Sequence, residues 1–163
     1  MSTMTTSSTA REILVGMGQI AAGRAPDRMK AVLGSCIGVV LYHPRLKTGI
    51  MAHVVLPDSS GRTGTPGKFA DTAVPEMLKL ARQWNVPTCG LSATFAGGAN
   101  MFGGSGPLQI GDANAAAVLE ALNKAGVRVI AQDVGGTTGR RVVFDCACGK
   151  MTVECAGRPA RIL

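Results

Sequence analysis

A chain of 163 residues, 46% hydrophobic but only 4% aromatic, predicts one compact domain whose core is filled by aliphatic side chains. A net charge of +7 favours an acidic partner, but Lys and Arg form no long run and few aromatics can stack on bases, which argues against nucleic acid. No stretch reaches the roughly 18 apolar residues of a membrane span, and five cysteines, an odd number, argue for free thiols rather than a disulfide framework.

The opening MSTMTTSSTA is small and polar, without the charged start and apolar centre of a signal peptide. A disordered lead-in over residues 1–12 and a cytoplasmic location are expected. Residues 13–21 are apolar enough to start a strand, and 23–28, with Pro26, read as a turn or loop. Residues 31–42 are aliphatic but interrupted by glycine, and the β-branched part, 37–41, favours a buried strand ending at His43-Pro44. A second β-like run covers 49–56 and closes at Pro57; residues 58–68 form a polar loop.

Asp71 is placed to cap a helix running through Trp84, with Val74, Met77, Leu78 and Ala81 on its apolar face and Pro75 in its first turn. A strand over 91–96 leads into a glycine-rich stretch, 97–111. Asp112 is placed to cap a second helix over 113–124, with Ala117, Val118, Ala121 and Leu122 facing the core and Gly126 stopping it. A strand over 127–134, a turn at 135–139, and two alternating runs, 141–148 and 151–155, around a Gly149-Lys150 hairpin signal complete the domain. The domain is read as 13–157, and 158–163 as a loose basic tail. With about seven strands and two long helices in mixed order, the fold class is α/β in the mixed α+β sense, with mixed or antiparallel sheet.

Two features carry chemistry. In Leu33-Gly34-Ser35-Cys36-Ile37-Gly38, glycines on both sides of a cysteine permit close approach of a ligand or another backbone. A thiol on such a turn can meet a substrate carbonyl, with N–H groups of the turn facing the developing oxyanion; the alternative is a small buried thiol beside a strand. The second feature is His53, inside the apolar run Met51-Ala52-His53-Val54-Val55-Leu56 on the next strand-like segment. If the two segments pair as antiparallel neighbours, Cys36 and His53 come close, and such a pair stabilises thiolate and imidazolium together. The alternative for His53 is a satisfied core histidine, and His43, before Pro44, reads as a surface residue.

Cys146 and Cys148 alternate on a predicted strand and so point to one face, but no paired C-x-x-C knuckle accompanies them, and no metal is expected. Gly97-Gly98-Ala99-Asn100-Met101-Phe102-Gly103-Gly104 lacks the terminal Lys-Ser/Thr of a phosphate loop and reads as a structural or substrate-lining loop.

Leu33-Gly34-Ser35-Cys36, Tyr42-His43-Pro44 and Ala52-His53-Val54-Val55-Leu56-Pro57 together resemble the chemoreceptor glutamine deamidase family, CheD. The likeness continues through Lys68-Phe69-Ala70-Asp71, Gly97-Gly98-Ala99, Ile110-Gly111 with Asn114, and Asp133-Val134-Gly135-Gly136 with Gly139-Arg140. The resemblance implies hydrolysis of glutamine side-chain amides on methyl-accepting chemotaxis receptors, with Cys36 as nucleophile, His53 as base, and oxyanion donors near Gly34 and Ser35. It implies no cofactor, a CheC-type phosphatase as a second partner, and a fold of stacked mixed β-sheets with two main flanking helices, like that of deamidating toxins. A non-catalytic module binding receptor or phosphatase is the alternative. One position departs: the family commonly carries a threonine six residues before the cysteine, as a third catalytic member, where this chain has Lys30. Either the Lys30 charge acts on the thiol, or a backbone carbonyl orients His53 in place of the hydroxyl.

Overall fold

The computed structural model describes residues 9–101 and 109–163. Among these residues, ten strands form two five-stranded mixed sheets. The first sheet holds β1 (Glu12–Leu14), β3 (Arg28–Leu33), β8 (Arg140–Asp145), β9 (Lys150–Glu154) and β10 (Arg161–Ile162), in that spatial order. The second runs β2 (Ile20–Arg24), β5 (Thr48–Val54), β4 (Ile37–His43), β6 (Ser92–Gly97) and β7 (Arg128–Val134). Among the strands of the described residues, only β1–β3 and β6–β7 pair in parallel. The mixed two-sheet architecture with two helices is the one expected.

Three layers result, because β4 and β5 are buried along their whole length and must be covered on both faces. On one face Val39, Leu41, Ile50, Ala52, Val54 and Phe95 pack against α1 (Ala70–Gln83) and α2 (Ile110–Lys124), through Val74, Met77, Ala81, Val118 and Leu122. On the other, Val40, Tyr42 and Met51 meet Met29, Ala31, Leu33, Val142, Phe144 and Met151 of the first sheet. The alternation of exposed and buried residues in β3 is the mark of a sheet with one covered face.

Several local expectations are corrected. The expected strand over 13–21 is two strands, because the chain leaves the first sheet after Leu14 and joins the second at Ile20. Only 25–27 separate β2 from β3, so half of the expected loop at 23–28 is strand, and the second half of β3 was hidden in the run 31–42. Neither helix is capped by its aspartate: α1 begins at Ala70 after Phe69, and α2 at Ile110 after Gln109. The Asp71 carboxylate instead accepts from the Ser59 N–H and hydroxyl at 2.9 and 2.7 Å. The earlier start of α1 puts Pro75 in the helix interior.

Cys146 and Cys148 lie in the turn after β8, the first buried and the second exposed, so they do not share a strand face. His43 is buried, its Nδ1 accepting from the Leu46 N–H at 3.2 Å. The tail is tied down, Arg161 and Ile162 pairing with Val153 and Thr152. At the other end, Arg11 and Glu12 already belong to the fold; the part of the lead-in over 1–8 lies outside the described residues.

Candidate active site

The chain passes from the first sheet to the second through Gly34-Ser35-Cys36, the link between β3 and β4. This crossing puts the thiol at the edge of the interface between the sheets, 8% exposed and within its apolar cluster. Three donors hold the link from behind. The Ala99 N–H reaches the Gly34 carbonyl at 2.9 Å, the Gly98 N–H reaches the Cys36 carbonyl at 2.9 Å, and the Asn114 side-chain amide reaches the Ser35 carbonyl at 2.9 Å. The N–H groups of Gly34, Ser35 and Cys36 donate to nothing among the described residues. A trans peptide points its N–H opposite to its C=O, so anchoring these carbonyls turns the Ser35 and Cys36 N–H groups the other way. That is the arrangement an oxyanion needs.

The glycines of 97–98 and Gly111 make the anchoring possible. Gly97 has φ +118 and passes so close to the Cys36 carbonyl that a Cβ there would collide with it. A Cβ on Gly111 would strike the carbonyls of Gly98 and Ala99, so the start of α2 lies directly on this turn. The stretch expected to line the substrate therefore begins as a structural brace; its part over 102–108 lies outside the described residues.

His53 lies on β5, directly opposite Gly38 of β4. Opposed residues share a sheet face, as do residues two apart on one strand, so His53, Gly38 and the preceding Cys36 all face the first sheet. Thiol and imidazole therefore lie on the same side of the sheet, and the Leu33 side chain covers Gly38, its Cδ1 3.2 Å from where a Cβ would stand. The ring is 4% exposed. Its Nδ1 lies 2.9 Å from the Val15 carbonyl, which fixes the proton on Nδ1, because a carbonyl only accepts. Nε2 is buried without a partner among the described residues, so no hydrogen bond joins it to Cys36.

The segment 15–19 between β1 and β2 holds His53 at several points. Besides the Val15 carbonyl, the Gln19 carbonyl accepts the His53 N–H at 3.0 Å and the Gly18 N–H donates to the His53 carbonyl at 2.9 Å. The end of the polar loop rests on this segment, since Cβ atoms on Gly18 and Gly67 would meet Lys68 and the Gly18 carbonyl respectively.

Lys30 is not part of the constellation. Its neighbours Met29 and Ala31 are fully buried, so its side chain takes the outer face of the first sheet, where the ammonium pairs with Glu12. Position 30 contributes through its backbone: its carbonyl accepts the Val15 N–H at 2.8 Å and so steadies the residue that orients His53. Burial pushes the Cys36 thiol above its ordinary value, and Lys30 does not offset it. The thiol therefore needs a base.

Sequence reasoning missed Val15, which acts through its main chain and leaves no signal in its side chain. It named Asn114 without giving it a task. The signal was its spacing: four and eight residues before Val118 and Leu122, it is a polar residue on the core stripe of α2, fully buried. Among the described residues, no group of three or more His, Cys, Asp or Glu is placed to hold a metal ion.

A family model described as CheD chemotactic sensory transduction matches residues 55–155. A probable chemoreceptor glutamine deamidase CheD of Desulforamulus reducens is 40% identical over 159 residues, covering 93% of this chain and 95% of that protein. One of Methanococcus vannielii is 40% identical over 142 residues, covering 86% and 92%. The chemoreceptor glutamine deamidase CheD of Thermotoga maritima is 39% identical over 145 residues, covering 88% and 92%.

Proposed function

The chain belongs to the CheD family, and on that footing we propose that it hydrolyses glutamine side-chain amides of chemotaxis receptors, with Cys36 as nucleophile and His53 as general base. The observation that carries this reading is the imidazole: buried, oriented by the Val15 carbonyl, and with an unpartnered Nε2 on the sheet face that Cys36 shares. A buried imidazole nitrogen left without a partner is uncommon in a packed core and favours a functional role.

In this mechanism His53 Nε2 takes the Cys36 proton and the thiolate attacks the glutamine δ-carbon. The carbonyl π pair moves to oxygen, where the N–H groups of Ser35 and Cys36 receive it. Protonated His53 gives its proton to the departing nitrogen, the C–N bond breaks, and ammonia leaves a thioester on Cys36. Water then attacks the thioester carbon, losing a proton to Nε2; the C–S bond breaks, and the thiol recovers that proton. Splitting amide hydrolysis into two steps lowers each barrier. The residues of this chain supply every proton transfer.

The net charge of +7 suits an acidic receptor surface, as a steering effect. A CheC-type phosphatase is the second proposed partner, and the cytoplasm, which keeps thiols reduced, the proposed compartment. No helix among the described residues is long and apolar enough to cross a membrane.

The test is ammonia release from a purified receptor fragment by wild type, Cys36→Ala and His53→Ala. Wild type should release ammonia, Cys36→Ala none, and His53→Ala about 10²–10⁴-fold less. Full activity in Cys36→Ala would refute the mechanism. Receptor binding without release by wild type would favour a binding module instead.

A further inference from the structure

Asn114 is the one fully buried polar side chain of α2 among the described residues. Its amide nitrogen makes two hydrogen bonds, to the Ser35 carbonyl and to the Val55 carbonyl, both at 2.9 Å. Two carbonyl oxygens on one side of the amide require NH2 there, which settles its orientation. The first acceptor adjoins the nucleophile, and the second lies two residues beyond the base. One side chain thus joins the turn carrying Cys36 to the residue that follows the strand carrying His53.

The consequence concerns one peptide plane. The Ser35 carbonyl and the Cys36 N–H belong to the same rigid trans unit and point in opposite directions. Pulling the carbonyl toward α2 aims the Cys36 N–H away from α2, on the nucleophile's side of the turn. Without the amide, the unit can rotate, and the N–H no longer has a fixed direction. Preorganisation of this kind is what an oxyanion site depends on.

We propose that Asn114 is a positioning residue for the deamidation reaction, setting the Cys36 N–H as an oxyanion donor by holding the Ser35 carbonyl and registering it against the strand of His53. The inference rests on the deamidase reading above. It is distinct from thiol activation, because it concerns the oxyanion and leaves the thiol's own reactivity alone.

That distinction gives the test. Alkylation of Cys36 by iodoacetamide displaces iodide from an sp³ carbon and develops no oxyanion at the turn, whereas deamidation does. In full-length protein, kcat and KM for a receptor fragment are measured beside the rate of Cys36 alkylation, followed on the Cys36 peptide by mass spectrometry. For Asn114→Ala, kcat should fall about 10²-fold, with KM and the alkylation rate each within about threefold of wild type. Asn114→Ser, which keeps one donor, should fall between the two and carries the test if Asn114→Ala does not fold. Wild-type kcat in either folded variant would overturn the proposal. So would faster alkylation in step with the loss of kcat, since that marks a loosened fold. If wild type releases no ammonia, the deamidase reading fails and this inference falls with it; an active wild type beside an equally active variant removes the inference alone.

Discussion

Gly97→Ala is the most severe single-methyl test of the site, because β6 and the turn carrying Cys36 meet there backbone to backbone. The new Cβ would lie under 3.0 Å from the Cys36 carbonyl oxygen and 3.3 Å from the Ile37 Cα. Carbon and oxygen in contact keep about 3.3–3.6 Å, so the oxygen has to retreat by about 1 Å. No flexible side chain can absorb that shift, since the colliding atoms are main chain. A second cost comes from φ +118, outside the left-handed region that L residues tolerate. Gly126→Ala provides the control for backbone conformation alone: its φ is +73 and nothing lies within 4 Å of the new Cβ. The control should cost about 1–2 kcal/mol. Gly97→Ala should cost about 3 kcal/mol or more, adding strain to collision, which is about 6–12 °C in melting temperature for a domain of this size. Because the displaced carbonyl belongs to Cys36, the proposed nucleophile, activity should fall further than stability predicts, about 10²-fold in kcat at a temperature where the variant is folded. Calorimetry and ammonia release from a receptor fragment supply the two numbers. Equal melting temperatures for the two variants, or wild-type kcat in Gly97→Ala, would refute the argument that this close approach holds the site.

Other perturbations separate neighbouring explanations. Lys30→Thr should leave kcat within about twofold, because the side chain at 30 lies on the outer face of the first sheet; a larger gain, read by ammonia release, would mean that a hydroxyl there reaches His53. Burial pushes the Cys36 thiol up, so in His53→Ala its alkylation should be slow at neutral pH and rise as pH climbs past the ordinary thiol value; a pH-independent rate would contradict this. The exposed Cys89 and Cys148 should consume a bulky thiol reagent first, as peptide mapping will show. Asp27 accepts the Arg11 side chain at 2.8 Å and the Arg24 N–H at 3.1 Å, and the hydrogen bond from Arg11 leads in holding its carboxyl below the ordinary value. A folded-state value below the unfolded one gives stability that is fully present above the ordinary carboxylate value and lost as pH falls below it, through the lower folded-state value. Denaturant melts should show that loss in wild type and a flatter acid limb in Asp27→Asn.

The sequence made legible what depends on side-chain pattern. β4 and β5 were visible because both faces are buried and aliphatic residues dominate them despite Gly38 and Gly49, and the helix interiors because Val74, Met77, Ala81, Val118 and Leu122 recur at helical spacing. The turn residues Gly34 and Ser35 stood out beside Cys36 for the same reason. What stayed hidden depends on main chain and long-range partners. The division of 13–21 into two strands is decided by which sheet each half joins, and the start of α1 by the pairing of Leu56 with Phe69, whose flank supplies the Ala70 N–H bond to the Leu56 carbonyl. No pattern within those segments encodes either choice.

The same division explains why the departure at position 30 has so little purchase on the site. A base needs one acceptor to fix its tautomer, and the Val15 carbonyl supplies it whatever side chain residue 15 or 30 bears. What that carbonyl needs is a fixed place, and the backbone of β3 gives it one through the bond between the Val15 N–H and the Lys30 carbonyl. Substituting the Lys30 side chain leaves that bond intact. Removing it requires changing the pairing of β1 with β3, in which Leu14 stands beside Lys30. The orientation of His53 is therefore a property of the sheet edge and not of any one side chain, and only changes that unseat β1 should disturb it.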